Sequence, residues 1–410
     1  MKAFRTLSKR IARHSSGNFT SDLQSNPELA KIPTFRLIDN SGALIDKSLK
    51  FDDEEIATYK RILQKMIEME VIDDILNKSQ RQGRISFYMT SLGETGAILG
   101  SAAALSPEDM LMTQYREMSA LYWRGYTLKE ITDNCVSNGK DQNKSRQMPI
   151  HFSCSRLNFF SISSPLGTQL PQAAGFGYGL RTKNEKKIVA AYFGEGSASE
   201  GDFYAAINFA QTLKSQTLFF CRNNFYAIST PVSEQTSGDN ILPKALSFGM
   251  KANRVDGNDP VAVYRLVKHL REYIISEQKP AFVEAMTYRV GNHSTSDDSS
   301  YYRKQEEIEN WRKTNNPITR LSGFLEKQGA IDKQFFADID AIKDKVRKEI
   351  SDCLRDSLNE KYPPINSLFE DVFAEMPKHL QAQRDELNAH IARHRKQYEA
   401  EFELLKYAEK

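Results

Sequence analysis

Residues 188–230 combine two apolar runs, each followed by a polar turn, with an amphipathic segment between them. The first run, IVAAYF, leads into Gly-Glu-Gly at 194–196, and the second, TLFFC at 217–221, leads into Arg-Asn-Asn at 222–224. The intervening stretch, 199–214, has the apolar spacing of a helix. This order predicts two parallel strands joined by a helical crossover. Such strands place their carboxyl ends at one edge of a sheet, where ligands bind.

The region around this segment continues the alternation of strands and helices. A third apolar run, AFVEAM at 281–286, predicts another strand, and residues 260–278 have the periodicity of a helix. Between about residues 84 and 290, the pattern therefore predicts an α/β fold, in which helices cover a mostly parallel sheet.

Four parts are predicted along the chain. A helix is expected to begin at the cap Asp52-Asp53. Beyond residue 305 the chain becomes charged and helical, with a break at Pro363-Pro364. The charged stretch 378–408 is interpreted as a solvated helix or an interface arm. The parts are a basic leader, 1–21, an N-terminal arm and helix, 22–80, an α/β domain, 81–305, and a helical C-terminal region with a tail, 306–410.

The composition excludes several classes of protein. No apolar run approaches the ~18 residues that a membrane-spanning helix needs. The net charge of +3 is small and its basic residues are scattered, which argues against a nucleic-acid partner. The four cysteines are far apart and form no CxxC pair, so they are interpreted as reduced thiols in a non-secretory compartment.

The leader at residues 1–21 differs from the rest of the chain in charge. It carries five basic residues and no acidic one, is rich in serine and threonine, and has Phe4, Leu7 and Ile11 at near-helical spacing. This is the composition of a mitochondrial transit peptide, and a basic, disordered tail is the alternative. Removal of the five basic residues would take the net charge from +3 to −2.

The two polar turns carry the chemistry that the sequence predicts. Glu195 and Asn224 would face each other at the sheet edge, and their oxygens are ligands that Mg²⁺ prefers. Gly194 and Gly196 allow backbone N–H groups to approach a phosphate, and Arg222 adds positive charge. A lone GEG is equally well explained as a tight turn, so the prediction depends on the pairing of the two turns. The pattern is not G-x-G-x-x-G, which disfavours a nicotinamide enzyme.

The pairing of Glu195 with Asn224 resembles the signature of thiamine-diphosphate enzymes. The surrounding sequence motifs resemble those of the α subunits of branched-chain 2-oxo acid dehydrogenases, from about residue 32 into the tail. Pyruvate dehydrogenase α subunits are similar, but they typically have GDG with AANQG and lack the RQMP and SSPLGTQ words. The words are QRQGRISFYMTSLGE (80–94), QYRE (114–117), RQMPIH (146–151), SISSPLGTQLPQA (161–173), GEGSASEGD (194–202), CRNNFYAISTP (221–231), GNHSTSDDSSYYR (291–303) and LFEDVFAEMP (368–377).

The resemblance implies a set of binding residues within a thiamine-diphosphate-binding domain at 81–305. The magnesium ligands would be Glu195, Asn224 and the carbonyl of Tyr226. The cofactor would be held or lined by Tyr115, Arg116, Ser164, Leu166, Gly194, Gly196, Ser197, Arg222 and His293. A structural K⁺ would be bound by Ser163, Pro165, Thr168 and Gln169. Phe87 would line the substrate pocket. Ser197 stands where alanine is usual and Phe225 where glycine is usual, and the left-handed backbone that a glycine allows is less suited to Phe225.

The resemblance also implies partners. Thiamine chemistry needs a glutamate from a second α/β domain, and only one such domain is predicted here. A β subunit would supply the second domain in an α₂β₂ assembly in the mitochondrial matrix. The implied reaction is oxidative decarboxylation of branched-chain 2-oxo acids, such as 3-methyl-2-oxobutanoate. The acyl unit would pass to a lipoyl group on a transacylase core.

The loop RVGNHSTSDDSSYYR at 289–303 holds two implied functional residues. His293 would act in proton transfer during reductive acylation of the lipoyl group. Ser294 would be an inhibitory phosphorylation site, served by a regulatory kinase and phosphatase. A phosphate beside Asp297 and Asp298 should repel both carboxylates and disorder the loop.

Three alternatives stay open. A pyruvate or other 2-oxo acid dehydrogenase α subunit, with the same chemistry and a different pocket, is the first. A catalytically idle scaffold subunit is the second, although intact Glu195, Asn224, Arg222 and His293 argue against it. A phosphate-binding protein unrelated to thiamine is the third.

Overall fold

The computed structural model describes residues 31–408, so the predicted leader at 1–21 lies outside the described residues. Residues 33–408 form one compact unit built around a five-stranded sheet. All neighbouring strands are parallel, and their order is β1-β2-β3-β7-β6. A two-stranded antiparallel hairpin, β4-β5, lies apart from this sheet. The strands are β1 (Met110–Met112), β2 (Val189–Gly194), β3 (Thr217–Asn223), β4 (Tyr226–Ala227), β5 (Thr230–Pro231), β6 (Lys251–Asp256) and β7 (Ala281–Met286).

The described residues also form α-helices throughout the chain. The helices are α1 (Asp53–Arg81), α2 (Thr95–Ala104), α3 (Met118–Trp123), α4 (Leu128–Val136), α5 (Gln169–Thr182), α6 (Gly201–Leu213), α7 (Val232–Gln235), α8 (Leu242–Ser247), α9 (Pro260–Glu277), α10 (Gln305–Thr314), α11 (Pro317–Lys327), α12 (Lys333–Asn359), α13 (Lys378–Arg393) and α14 (Arg395–Glu401). No helix among residues 31–408 is long and apolar enough to cross a membrane.

Helices cover both faces of the large sheet, as the α/β prediction required. On one face, Tyr192 and Phe220 belong to the main hydrophobic core, together with residues of α1, α2 and α9. On the other face, Phe193 and Phe282 contact Phe203 of α6, with ring centroids 5.8 and 6.2 Å apart. Because both faces are buried, the central strands are continuous apolar runs and do not alternate with polar residues.

The three strands expected at 188–193, 217–221 and 281–286 are confirmed, and so are the helices expected near 199–214 and 260–278. Strands β1 and β6 were not predicted. They form the two edges of the sheet, where β1 has only three residues and β6 reads KANRVD with its first half partly exposed. The apolar run of β1, MLM, is too short to predict a strand, and β6 has none, so sheet membership here depends on neighbours distant in sequence.

The predicted helix start at Asp52 is also confirmed. The Asp52 side chain accepts a hydrogen bond from the Glu55 N–H at 2.8 Å, and the Glu55 side chain accepts from the Asp52 N–H at 3.4 Å. These reciprocal bonds satisfy two donors that a helix would otherwise leave free. Beyond 305 the chain is helical, as expected, and α12 ends at Asn359, just before Pro363-Pro364. No residue of α13 is buried.

Strands β2 and β3 end at the same edge, where their polar turns meet. Gly194, the last residue of β2, is in register with Arg222. Strand β3 continues through Asn223, which corrects the predicted turn at 222–224: Arg222 and Asn223 belong to the strand, and the turn begins at Asn224. A short 3-10 turn, Glu195–Ser199, precedes α6, so that helix begins at Gly201 and not at residue 199.

Helix α5 approaches β3 closely at Gly177, and this contact offers a test of the packing. A Cβ at Gly177 would lie 2.4 Å from Ser215 Oγ and from Thr217 Oγ1, whereas a Cβ at Gly175 of the same helix would meet nothing within 4 Å. We expect Gly177→Ala to destabilise the chain by about 1–3 kcal/mol through overpacking. The control Gly175→Ala should stabilise it by about 0.5–1 kcal/mol. Thermal midpoints of the purified chains would check this, and equal shifts would contradict it.

Candidate active site

The two predicted metal-binding turns lie against each other at the carboxyl edge of the sheet. The Asn224 N–H donates to Glu195 Oε2 at 3.3 Å, and both side chains are buried. Asn224 Oδ1 accepts from the Tyr226 N–H at 3.2 Å, so these predicted ligands belong to one compact turn. A Cβ at Gly196 would lie 2.8 Å from the Ala227 Cβ, so the close approach of the turns requires glycine there.

A cleft of about 310 Å³ opens over these turns. It brings together most of the residues that the sequence predicted for cofactor and magnesium. Its lining includes Gln114, Tyr115, Arg116, Leu166, Gly194, Glu195, Gly196, Ser197, Arg222, Asn224, Tyr226, Arg289 and His293.

A buried ionic cluster that the sequence analysis missed lies beneath the cleft. The Arg222 guanidinium donates to Glu117 through Nε and to Glu94 Oε2 through Nη1 at 2.5 Å. Glu94 Oε1 also accepts from Asn224 Nδ2 at 3.1 Å and lies 3.4 Å from Arg116 Nε. Burial alone would raise the pKa of Glu94, but the guanidiniums of Arg222 and Arg116 outweigh it and hold that pKa below its ordinary value. Most of the charge of Arg222 is therefore already balanced within the protein.

Gln114 is a second residue that the sequence analysis missed. Its Oε1 accepts from the Gly194 N–H at 2.9 Å and from the Ser197 hydroxyl at 3.0 Å, so it fixes both ends of the glycine turn. The signal available was the QYRE word at 114–117, which also contains Glu117. That motif does not indicate that Gln114 contacts the end of β2 or that Glu117 contacts β3, some eighty and more residues later.

His293 lies between two guanidiniums at one wall of the cleft. Arg116 Nη2 lies 3.3 Å and Arg289 Nη1 lies 3.4 Å from His293 Nδ1, and its ring packs edge-on against Tyr115. Burial, Arg116 and Arg289 together lower the pKa of His293 to about 3. Because an arginine only donates, Nδ1 is the acceptor, and the neutral ring carries its proton on Nε2.

The rest of the 289–303 loop is held by hydrogen bonds around Asp297. Asp297 Oδ2 accepts from the His293 N–H at 2.7 Å and from the Tyr302 hydroxyl at 2.5 Å, and that hydroxyl accepts from Arg289 Nη2 at 2.8 Å. Ser294 is buried, with 9% exposure, and its hydroxyl accepts from the Ser296 N–H at 3.2 Å. The predicted phosphorylation site therefore lies within an ordered, internally bonded loop.

The residues predicted for potassium and for the substrate lie outside the cleft lining. Thr168 Oγ1 donates to the Pro165 carbonyl at 3.1 Å, so two of the four predicted K⁺ ligands are adjacent. Gln169 donates to the Tyr192 carbonyl at 2.9 Å, and Ser163 is partly buried. Phe87 is half-buried against the main core.

Ser164, predicted to line the cofactor, contacts a histidine. His151 Nδ1 lies 3.0 Å from the Pro149 carbonyl, which can only accept, so Nδ1 carries the proton and Nε2 accepts from the Ser164 hydroxyl at 3.0 Å. Burial lowers the pKa of His151, which keeps this ring neutral.

The charges around the cleft test whether a cation and an anion fit. Among residues 31–408, no cationic side chain lies within ion-pair distance of Glu195, and burial raises the pKa of this carboxyl to about 7. A divalent cation would supply the missing counter-charge. No cluster of three or more His, Cys, Asp or Glu suited to a metal occurs in the described part of the chain. A cation at this edge would therefore rely on one carboxylate with amide and carbonyl oxygens, a set that suits Mg²⁺.

Asp73, in the middle of α1, holds the loop that leads into the site. Its carboxylate accepts from the Tyr88 hydroxyl at 2.8 Å, from the Ser91 N–H at 2.8 Å and from the Ser91 hydroxyl at 3.0 Å. Residue Tyr88 in turn exchanges hydrogen bonds with Thr295, next to Ser294. Burial raises the pKa of Asp73 to about 6, so it is ionised at neutral pH. Nothing in the periodicity of α1 distinguished this aspartate from its neighbours.

Comparison with known proteins shows the class of this chain. It is a thiamine-diphosphate-dependent α/β enzyme, the class that the matched family represents. The family described as "Dehydrogenase E1 component" matches residues 63–366. The chain belongs to the dehydrogenase E1 component family and, within it, to the 2-oxoisovalerate dehydrogenase α subunits.

Three curated relatives show the extent of the similarity. The mitochondrial 2-oxoisovalerate dehydrogenase subunit alpha of Caenorhabditis elegans is 44% identical over 396 residues, which cover 95% of this chain and 90% of the relative. The mitochondrial 2-oxoisovalerate dehydrogenase subunit alpha 1 of Arabidopsis thaliana is 43% identical over a stretch that covers 89% of this chain and 77% of the relative. The Homo sapiens subunit alpha is 43% identical, covering 90% of this chain and 82% of its own.

The contacts of Asp73 lead to a prediction with a neighbouring control. In Asp73→Asn, the new amide N–H₂ group would face donors, so we expect a loss of about 1–3 kcal/mol in stability. Asp74 is more than half exposed, and its ion pair within residues 31–408 is with Lys78, so Asp74→Asn should change stability by less than about 0.5 kcal/mol. Thermal midpoints of the two variants would check this. Indistinguishable midpoints would show that the Asp73 network adds little.

Proposed function

We propose that this chain is the α subunit of the decarboxylating component of a branched-chain 2-oxo acid dehydrogenase complex. The component would oxidatively decarboxylate acids such as 3-methyl-2-oxobutanoate and transfer the 2-methylpropanoyl group to a lipoyl group on a transacylase core. The observation that carries this proposal is the buried pairing of Glu195 with the Asn224 turn, in a chain of the 2-oxoisovalerate dehydrogenase α family.

Within this proposal, the two sides of the cleft bind opposite charges. Glu195, Asn224 Oδ1 and the Tyr226 carbonyl would hold Mg²⁺. The diphosphate of thiamine diphosphate would lie along Tyr115, Arg116 and the turn at Gly194–Ser197, with Arg222 beneath it. When bound, this cofactor supplies an electron sink for the decarboxylation. Ser164 and Leu166 would line it, and Phe87 would contact the substrate.

A structural K⁺ beside the cofactor is also part of the proposal. Its ligands would be oxygens of Ser163, Pro165, Thr168 and Gln169. The adjacency of Thr168 Oγ1 to the Pro165 carbonyl supports this assignment, because hydroxyl and carbonyl oxygens suit a hard monovalent cation.

His293 is proposed to move a proton during acylation of the lipoyl group. Its Nδ1 accepts from Arg116 and Arg289, so Nε2 is the atom that carries the exchangeable proton. The two guanidiniums disfavour the charged ring. An anion bound in the cleft would offset these charges and shift the pKa of His293 back toward its ordinary value.

The proposed assembly needs other chains. A β subunit would complete the site in an α₂β₂ heterotetramer, since one α/β domain cannot provide both halves that thiamine chemistry requires. The C. elegans relative carries the words "subunit alpha, mitochondrial" in its name, which supports a matrix location and a partner subunit. The lipoyl transacylase core would take the acyl group.

The proposal predicts activity only with the partner. The full chain co-produced with its β subunit, thiamine diphosphate and Mg²⁺ should decarboxylate 3-methyl-2-oxobutanoate much faster than pyruvate, while the α chain alone should show no turnover. Glu195→Gln should lower the rate at least ~100-fold, because it removes the carboxylate proposed to bind the cation. Asp202→Asn, at an exposed position in α6, is the control and should leave the rate unchanged.

Other outcomes of this experiment would favour the alternatives. A preference for pyruvate would identify a pyruvate-type α subunit with the same chemistry. A complex that binds thiamine diphosphate but turns over neither acid would identify a scaffold subunit. Robust turnover by the α chain alone would contradict the need for a β subunit.

Phosphorylation of Ser294 is proposed as the regulatory input, through a kinase and an opposing phosphatase. Because Ser294 is a buried residue, a phosphate of about −1.5 to −2 charges would not fit this conformation. It would also face Asp297, which holds the His293 N–H. Modification should therefore open the loop and displace His293.

A pair of variants in one loop tests this. Ser294→Glu should abolish activity of the assembled complex, because a carboxylate would enter a buried position beside Asp297. Ser296→Glu adds the same charge at an exposed position two residues away and should retain most activity. Ser294→Ala should resist inactivation by the kinase. Equal rates in the two glutamate variants, measured with a lipoyl acceptor, would refute the proposed mechanism.

A further inference from the structure

Phe225 has an unusual backbone conformation at a critical place. Its φ is +71°, in the left-handed region that favours glycine. It lies between Asn224 and Tyr226, two of the proposed magnesium ligands. Its N–H donates to Asn223 Oδ1 at 3.1 Å, and its carbonyl accepts from the Val232 N–H at 2.9 Å. The peptide that carries the Tyr226 ligand therefore depends on a conformation that Phe225 would not adopt by preference.

Helix α10, which follows the 289–303 loop, contacts this turn through two side chains one helical turn apart. The Trp311 ring packs on Phe225 with centroids 5.7 Å apart, and it also stacks in parallel on Tyr288 at 4.9 Å. Glu307 accepts from the Tyr226 hydroxyl at 3.0 Å and from the Tyr288 hydroxyl at 2.8 Å. Helix α10 thus holds the side chains of the two residues that follow Asn224.

We propose that Trp311 is a positioning residue for the magnesium turn. Its contact with the Phe225 ring offsets the cost of the left-handed backbone and so keeps Asn224 and Tyr226 in place for the cation. This inference rests on the proposed magnesium site.

Trp311 contacts both Phe225 and Tyr288, so it can act on the turn through the Phe225 ring or through support of Tyr288. A substitution at position 225 separates these two roles. Without the indole, Phe225 would lose the contact that holds it at positive φ, and the turn would relax toward a conformation that displaces the Tyr226 carbonyl. A glycine at 225 adopts positive φ without cost. The turn would then no longer need Trp311. If Trp311 acted only by supporting Tyr288, a glycine at 225 would make no difference.

The test is a suppressor experiment on the assembled α and β subunits. Calorimetry would measure the dissociation constant for Mg²⁺ at saturating thiamine diphosphate. Trp311→Ala should raise this constant about three- to tenfold, the range that one aromatic pair supplies. Trp311→Phe keeps an aromatic face and should stay within about twofold of the parent. Excess Mg²⁺ should restore most of the rate of Trp311→Ala.

The decisive variants carry glycine. Phe225→Gly should bind Mg²⁺ within about twofold of the parent, and Phe225→Gly combined with Trp311→Ala should bind as well as Phe225→Gly alone. A double variant as weak as Trp311→Ala would overturn the inference, as would an unchanged constant in Trp311→Ala. If Trp311→Ala does not assemble, Trp311→Leu replaces it in the same comparison. A parent complex that binds no Mg²⁺ with thiamine diphosphate would instead overturn the proposed function and this inference together.

Discussion

The buried ion pairs of Arg222 with Glu117 and Glu94 hold the site together. Arg222 is the second-last residue of β3, Glu94 immediately precedes α2 and Glu117 precedes α3, so one guanidinium fixes three chain segments that are distant in sequence. Charges that are fully removed from water must be paired, and loss of one partner costs about 3–5 kcal/mol. A buried ionic cluster therefore lies beneath the cleft, and Asn224 and Arg116 also contact Glu94 in it.

The same pairing decides which charges remain for ligands. Because Arg222 is balanced by two carboxylates, Glu195 on one side of the cleft has no cationic neighbour within ion-pair distance among residues 31–408. On the other side, Arg116 and Arg289 lie close enough to depress the pKa of His293. The cleft thus offers an uncompensated carboxylate to a cation and guanidiniums to an anion, and the two meet where Arg289 Nη1 donates to the Tyr226 carbonyl at 3.3 Å. A metal-bound diphosphate has this distribution of charge.

Much of this arrangement could be predicted from local sequence. What could not be predicted are the contacts between residues that are distant along the chain. The apolar runs identified the three central strands, and parallel pairing alone brought Glu195 to Asn224. The residues that fix these turns, Gln114 and Glu94, come from loops about eighty and one hundred and thirty positions away from their partners, and no periodicity reports such contacts. The matched words contained both residues without indicating their roles. The edge strands were missed for a related reason, since β1 has an apolar run of only three residues and β6 has none.

The residues proposed for catalysis and for regulation share the same contacts in this chain. Arg116 pairs with Glu94 beneath the cleft, yet it also donates to the His293 carbonyl at 2.8 Å and lies beside the His293 ring. The loop that carries Ser294 is thus anchored to the ionic cluster under the proposed cofactor site. An anion that binds Arg116 would therefore affect both the ionic cluster and the loop that carries Ser294. Any modification that pulls this loop away must break contacts that also orient the cleft, so the cost of opening the loop and the order of the active site are linked.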